Sequence, residues 1–170
     1  MEEVSAEEAF RRIKPERCVF VISVDKNSKP NGMIAGRHMK CSAEPPLFAV
    51  SLKKIGNTKN LIRESGEFVI AVPNKELEKE VLFFGSAHGN EVDKFQRTGI
   101  ETLKAKCVKS PLIKKASMNF ECRLEKEVDS GDHVIFIGRV LASYMDKNKK
   151  ILMNMGKVKA KRVFEEFQAA

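Results

Sequence analysis

Apolar positions along this chain fall into short runs that polar turn residues separate, and most runs have the length of a β-strand. The run 18–24 (CVFVISV) is almost wholly apolar, which predicts a buried strand. Residues 25–30 (DKNSKP) form a turn, so this strand and the next are predicted to pair as an antiparallel hairpin. Ser130-Gly131-Asp132 predicts a second such turn. Strands are predicted at 18–24, 33–42, 47–52, 68–72, 101–108, 116–128 and 133–144.

Helical spacing appears only in shorter segments between these runs. Ser5 and Glu8 form a capping-box pair at the start of the first segment, and Pro15 ends it. Gly66 and Gly99 end two others. Because helices and strands do not alternate regularly, a doubly wound sheet is disfavoured and a closed or split antiparallel barrel is favoured. Helices are predicted at 6–13, 59–65, 75–84, 91–98 and 158–167, with a loop at 85–90.

The length and composition of the chain are those of one globular domain. A length of 170 residues suffices to bury a core, and no apolar run approaches the ~18 residues of a membrane span. The N-terminus is acidic and lacks the apolar segment of a secretory signal, so a cytoplasmic protein is expected. The four cysteines include no C-x-x-C pair, which makes a zinc site improbable. Buried free thiols are the favoured interpretation and a disulfide the alternative, with Cys41 beside Pro45-Pro46 as the most reachable thiol.

The formal charge is +8, and about half of the excess lies in the last 27 residues. A basic end of this kind could contact nucleic acid, attract a phosphorylated cofactor or keep the protein soluble. The chain has no Trp and one Tyr, so few aromatic platforms are available on which nucleic-acid bases could stack. Nucleic-acid binding is therefore the weakest of these interpretations.

Residues 31–58 carry the most informative pattern. Ala35 and Gly36 are small enough to let a flat ligand approach the strand backbone. The segment ends at the start of a predicted helix, where free N–H groups favour an anion. A flat end and an anionic end are the shape of a flavin nucleotide. Asn57 and Thr58 are candidates for holding its phosphate, or else simple N-cap residues. Lys53 and Lys54 could neutralise it, and strand alternation predicts that one of the two points inward.

Four motifs now occur in order: Asn31-Gly32-Met33, the segment 42–51 (SAEPPLFAVS), the segment 89–95 (GNEVDKF) and the segment 131–140 (GDHVIFIGRV). Together they resemble the flavin reductase-like family, also called the FMN-binding split barrel, whose members include flavoredoxins and archaeal ferric reductases. The resemblance implies a mainly β fold with peripheral helices, a split antiparallel barrel of the FMN-binding type. It covers about 15–145 and leaves 146–170 as a basic extension of the same domain.

The resemblance also implies where FMN lies. The flavin ring is expected to lie along one strand. The ribityl chain and the phosphate are expected near the end of the next strand, with a loop closing over that end. His133 is expected near the nicotinamide. Many relatives have a serine or threonine where this chain has Ala35 and Gly36, so backbone N–H groups would replace that contact. His88 or a lysine would replace a phosphate-binding arginine of the loop. The implied cofactor-binding residues are Met33, Ile34, Ala35, Gly36, Arg37, Ser51, Leu52, Lys53, Lys54, Asn57, Thr58, Phe84, Gly85 and Ser86.

The implied function is an FMN-binding oxidoreductase of the flavin or ferric reductase type. It would take a hydride from NADH or NADPH and pass electrons to a small molecule or a redox protein, as a homodimer with FMN near the interface. This fits a chain with no Ser-His-Asp or Cys-His order and only three histidines, because the cofactor performs the chemistry. The alternative is a flavoredoxin-like FMN electron carrier without NAD(P)H activity. Asp93, Lys94 and Phe95 are expected to fix the helix after the loop, and His38 to lie at the surface.

Overall fold

A seven-stranded antiparallel sheet dominates the computed structural model, which describes residues 1–87 and 91–168. The strand order is β3-β2-β6-β9-β10-β5-β4, so the prediction of a mainly β protein is confirmed. The strands are β1 (Glu16–Arg17), β2 (Val19–Val24), β3 (Pro30–Ala35), β4 (His38–Ser42), β5 (Leu47–Lys53), β6 (Glu67–Val72), β7 (Thr102–Leu103), β8 (Leu112–Ile113), β9 (Met118–Ser130), β10 (His133–Met145), β11 (Ile151–Val158) and β12 (Lys161–Phe167).

The sheet curls into a split barrel because its two edge strands follow each other in the chain. β3 and β4 lie at opposite edges of the strand order, yet only Gly36 and Arg37 join them. The backbone N–H of Ser51 donates to the carbonyl of Arg37 at 2.9 Å and ties this junction to β5. The single strand predicted at 33–42 is therefore two strands, since the chain must turn from one edge to the other. The predicted fold class, a split antiparallel barrel, is confirmed.

Hydrophobic side chains pack against both faces of β2 and β6. Val21 and Ile70 belong to a cluster inside the barrel, and Phe20 and Ile22 belong to a second cluster on the outer face. Every residue of β2 is buried. This two-sided burial explains why the run 18–24 is almost wholly apolar instead of alternating.

The helices are short, and their ends follow the predicted caps. Ser5 Oγ accepts a hydrogen bond from the backbone N–H of Glu8 at 3.2 Å. Gly66 and Gly99 adopt left-handed conformations at φ 69° and 64°. One prediction is wrong, because the helix expected to end at residue 84 includes Gly85 and Ser86. Residues 88–90 of the predicted loop lie outside the described residues. The helices are α1 (Ala6–Arg12), α2 (Thr58–Ser65), a 3-10 turn (Lys75–Leu77), α3 (Glu78–Ser86) and α4 (Lys94–Thr98).

The helix predicted at 158–167 is also wrong, since β11 and β12 form a hairpin there and β1 pairs with β11. The turn consists of Lys159 and Ala160, both with positive φ, and neither is a residue that marks such a turn in a sequence. Leu152 and Phe164 are buried in the outer hydrophobic cluster. Tertiary packing of these two side chains therefore holds the segment as a hairpin.

The strand predicted at 101–108 is confined to β7, which pairs with β8. The chain after β7 instead wraps around the buried carboxylate of Glu121. This carboxylate accepts hydrogen bonds from the backbone N–H groups of Lys106 (2.8 Å), Cys107 and Val108 (3.1 Å), and from the Tyr144 hydroxyl (2.6 Å). Burial alone would raise the pKa of Glu121, but these hydrogen bonds outweigh it and lower the pKa.

The cysteines divide into two buried and two exposed thiols, all of them free. Burial raises the pKa of Cys18 and of Cys122 to about 12, so these two are unreactive packing residues. Cys41 and Cys107 are exposed, which corrects the expectation of a buried thiol for Cys107 and agrees with a reachable Cys41. None of the helices in the described ranges has the length and apolar character that a transmembrane span requires.

Candidate functional site

A cleft of about 1490 Å³ runs along β3, between the C-terminal end of α3 and the N-terminal end of α2. It brings together most of the residues that the sequence singled out. Leu52 is an exception, because it is buried in the core, and Lys54 is another, because it pairs with Asp129. The predicted residues that line the cleft are Met33, Ile34, Ala35, Gly36, Arg37, Ser51, Lys53, Asn57, Thr58, Phe84, Gly85, Ser86 and His133.

The β3 wall of the cleft is a strand with one unpaired edge. Among the residues that the structure describes, β3 pairs with β2 and with no second strand, so it forms an edge of the sheet. Gly36 packs closely against Glu16, because a Cβ there would meet the Glu16 carboxylate at 3.3 Å. Gly85 leaves space on the facing helix end, where the nearest atoms to an added Cβ are 3.8 Å away. A flat, polar-edged ring could therefore lie close to the backbone.

The α2 end of the cleft is suited to an anion. Asn57 occupies the N-cap position of the helix, as the alternative interpretation predicts, but its side chain makes no capping hydrogen bond. The first N–H groups of α2 are thus left without a side-chain cap. Thr58 is buried and lines the cleft beside them. Lys53 lines the cleft and Lys54 does not, as strand alternation predicts.

His133 and His38 lie in different parts of the structure. His133 is buried at the cleft, where its Nδ1 lies 2.6 Å from Asp132 Oδ1. The hydrogen bond to His133 lowers the pKa of Asp132. His38 does not lie at the surface as expected, because its ring is half-buried and stacks on Phe48 with centroids 5.7 Å apart. Burial lowers the pKa of His38, and the ring lies outside the cleft.

Lys94 is a cleft residue that sequence reasoning treated only as part of a helix. Asp93 caps α4 as expected, its Oδ1 accepting from the backbone N–H of Gln96 at 3.0 Å. Lys94 itself is buried, and its Nζ donates to the carbonyls of Gly32 and Phe84, both at 3.0 Å. It thereby joins β3 to α3, the two walls of the cleft. Within the described residues it has no ion pair, and burial lowers its pKa to about 8.

This burial predicts an unusual titration. In the native protein the Lys94 amine is expected to lose its proton near pH 8, whereas ordinary lysines do so near 10.5. Between these values the unfolded chain binds more protons than the native one, so the contribution of Lys94 to stability rises with pH across that window. NMR titration of the lysine ¹³Cε signals measures this directly. A Lys94→Met variant assigns the signal, and a Lys94 midpoint near 10.5 would show that the amine is solvated.

The C-terminal hairpin and α1 complete the cleft, and apart from the positive charge of the tail no sequence pattern indicated this. Lys157 and Arg162 line it from the hairpin. Phe10, Ile13 and Ile55 line it from its rim with exposed fractions of 67%, 65% and 80%. The described residues contain no cluster of His, Cys, Asp and Glu that could hold a metal.

Comparison with known proteins identifies the family. The model of the flavin reductase like domain matches residues 14–161. The chain belongs to the flavin reductase-like family. It is 41% identical to an uncharacterized protein of Archaeoglobus fulgidus over 113 residues, which are 66% of this chain and 64% of that relative. It is 28% identical to a ferric-chelate reductase (NAD(P)H) of the same organism over 85% of this chain and 84% of the relative.

Solved structures of family members have the same fold. An FMN-binding protein of Thermus thermophilus superposes with a TM-score of 0.85 at 24% identity, over 98% of this chain and 96% of the other. An NADH:FAD oxidoreductase of Streptomyces globisporus gives 0.83 at 23%, covering 98% of both chains. Flavoredoxin of Desulfovibrio vulgaris gives 0.82 at 23%, over 100% and 95%. At these identities the likeness establishes the split-barrel fold.

Proposed function

We propose that this protein is an FMN-dependent NAD(P)H oxidoreductase of the flavin or ferric reductase type. Membership of the flavin reductase-like family supports an oxidoreductase that uses a flavin. The observation that carries the finer proposal is the cleft, which has an open strand backbone along its length and an uncapped helix N-terminus at one end. These two features match the flat ring and the single phosphate of FMN.

The residues of the cleft fit this cofactor by position. The strand segment 33–37 would lie along the ring, and Gly36 and Gly85 keep side chains out of its space. Thr58, Asn57 and Lys53 would hold the phosphate. The cofactor would supply hydride and electron transfer, so the protein has only to bind and orient it and to set its electrostatic surroundings. The loop residue His88, the other candidate for binding phosphate, lies outside the described residues.

His133 would serve the co-substrate side of the cleft. Its Nδ1 is engaged by Asp132, which fixes the orientation of the ring. It stands opposite Lys53 across the β5–β10 ladder, at the same end of the cleft as the proposed phosphate site. We propose His133 as a contact for the nicotinamide dinucleotide.

A homodimer is part of the proposal. α1 buries none of its residues, and Phe10 and Ile13 expose apolar side chains at the rim of the cleft, as does Ile55. An apolar rim around a ligand cleft is suited to being covered by a second copy, which would enclose the flavin near the interface.

An absorption spectrum of the purified protein tests the function. Flavin bands that bleach on anaerobic addition of NADH or NADPH are the expected result. Bands that persist with both nucleotides would contradict the reductase and leave the flavoredoxin-like electron carrier. If no flavin is bound and none binds on addition, the proposal fails.

Thr58→Ala tests the phosphate end. The variant loses a buried hydroxyl beside the helix N-terminus, and FMN is expected to bind about ten-fold more weakly, the worth of one hydrogen bond to a charged group. Fluorescence titration of the apoprotein with FMN measures this. Riboflavin, which lacks the phosphate, serves as the control ligand and should bind the variant and the unaltered protein equally. Unchanged FMN affinity would remove Thr58 from the site.

A further inference from the structure

The C-terminal hairpin carries a pair of cations into the cleft. Lys157 and Arg162 stand directly opposite each other on β11 and β12, and both line the cleft. Neither forms an ion pair with any described residue, although the neighbouring Lys14 is paired with Glu16.

The hairpin holds this pair together although its turn conformation and the like charges are both energetically unfavourable. The turn places Lys159 at φ 46° and Ala160 at φ 64°, a region that disfavours residues other than glycine. It sets the register in which residues 157 and 162 share one face. Like charges directly opposite on neighbouring strands destabilise a sheet. An anion bound between them would offset this repulsion.

The pair is distinct from the end of the cleft proposed for the FMN phosphate. Asn57, at the start of α2, shares a smaller cavity with Pro30 and Asn31, where β3 begins. Arg162 lies near the other end of β3, because its guanidinium and the Cβ of Ile34 are each 3.8 Å from the position of a Cβ on Gly85. The three residue steps from Asn31 to Ile34 span about 10 Å along the strand. FMN has a single phosphate, so the cationic pair of the hairpin lies apart from the residues proposed to hold that phosphate.

We propose that Lys157 and Arg162 bind a phosphate group of the nicotinamide dinucleotide co-substrate. The inference rests on the proposed reductase function and adds to it the residues that recognise the dinucleotide. A guanidinium presents paired N–H donors that match two phosphate oxygens, and the lysine opposite adds a point charge. The same chemistry serves either the pyrophosphate that NADH and NADPH share or the 2′-phosphate of NADPH alone.

Binding of the oxidised dinucleotides NAD⁺ and NADP⁺ to the FMN-loaded protein tests the proposal without turnover. Isothermal titration is to be carried out on the unaltered protein and on Arg162→Ala and Lys157→Ala. Lys161→Ala is the matched control, since it removes the same charge from the same hairpin at a residue that does not line the cleft. Each cleft variant is expected to bind dinucleotide about 10- to 100-fold more weakly, the control is expected to be unchanged, and Arg162→Lys should recover part of the loss.

The two nucleotides distinguish the two phosphate sources. An equal loss for NAD⁺ and NADP⁺ assigns the pair to the pyrophosphate, and a loss confined to NADP⁺ assigns it to the 2′-phosphate. Unchanged affinity for both, or a loss as large in Lys161→Ala, would overturn the proposal. The flavin absorbance of the same samples shows whether this inference fails alone or together with the proposed function. If the unaltered protein holds flavin and the variants bind dinucleotide normally, only this inference fails, whereas a protein that binds no flavin removes the function and the inference with it.

Discussion

Glu121→Ala is expected to destabilise the protein by about 4 kcal/mol, a fall in Tm of about 10 °C for a chain of this size. The side chain is fully buried, and its carboxylate is the hydrogen-bond acceptor for three consecutive backbone N–H groups and for Tyr144. Its removal leaves these donors without a partner in the interior, and each orphaned donor costs ~1–3 kcal/mol before relaxation. Chemical denaturation and thermal unfolding both measure the effect.

The matched control is Glu125→Ala on the same strand, where an exposed carboxylate pairs with Arg139. That change should cost less than ~1 kcal/mol, as exposed ion pairs do. The lowered pKa of Glu121 adds a pH dependence. Its ionised form is favoured in the native state, so the contribution is present above the ordinary pKa of 4.5 and is lost as pH falls through the lower native pKa. Equal effects for the two variants would show that the segment 106–108 does not depend on this carboxylate.

Gly85→Leu is expected to weaken flavin binding on the order of 100-fold while leaving the fold intact. A side chain at this position in α3 would extend between Ile34 and Arg162, both of which line the cleft, and would fill the space above the strand wall. Loss of about 3 kcal/mol of ring contact corresponds to FMN binding on the order of 100-fold weaker. The helix itself should tolerate the change, because leucine has a higher helix propensity than glycine by roughly 0.5–1 kcal/mol. FMN titration and thermal unfolding of the same variant measure the two effects.

Gly85→Ala is the graded control. Its Cβ would meet only ordinary contacts at 3.8 Å, so stability should rise slightly and FMN affinity should fall much less than in the leucine variant. Normal FMN binding by Gly85→Leu would show that the flavin does not lie against the end of α3. A variant that fails to fold would be recognised by its unfolding curve and would not be counted as a binding defect.

Local patterns were sufficient for the parts of the chain whose structure is decided locally. The capping pair Ser5 and Glu8 and the glycines at 66 and 99 fixed helix ends, because a cap acts within one turn. The apolar run 18–24 marked a strand that the structure buries on both faces. In the same way, the small residues at 35–36 and the helix predicted from residue 59 indicated a site for a ligand with a flat end and an anionic end.

The remaining features depend on contacts between residues far apart in the sequence. Residues 158–167 have helix-compatible composition, and the burial of Leu152 and Phe164 against the core makes the segment a hairpin instead. The segment 101–108 does not form the predicted strand over its whole length. Its backbone N–H groups near residues 106–108 donate instead to the carboxylate of Glu121, which lies more than ten residues later in the sequence. Helix propensity and strand propensity are weak compared with such tertiary contacts.

The sequence alone therefore determined the class of the fold, the positions of its main strands and the segment that lines the cleft, since hydrophobic periodicity and turn chemistry act over a few residues. Only the tertiary structure decided that β3 and β4 become opposite edges of a split barrel, that Lys94 joins the two walls of the cleft, and that Lys157 and Arg162 reach it from the C-terminal hairpin. These placements depend on how distant segments pack, and no pattern within a single segment contains that information.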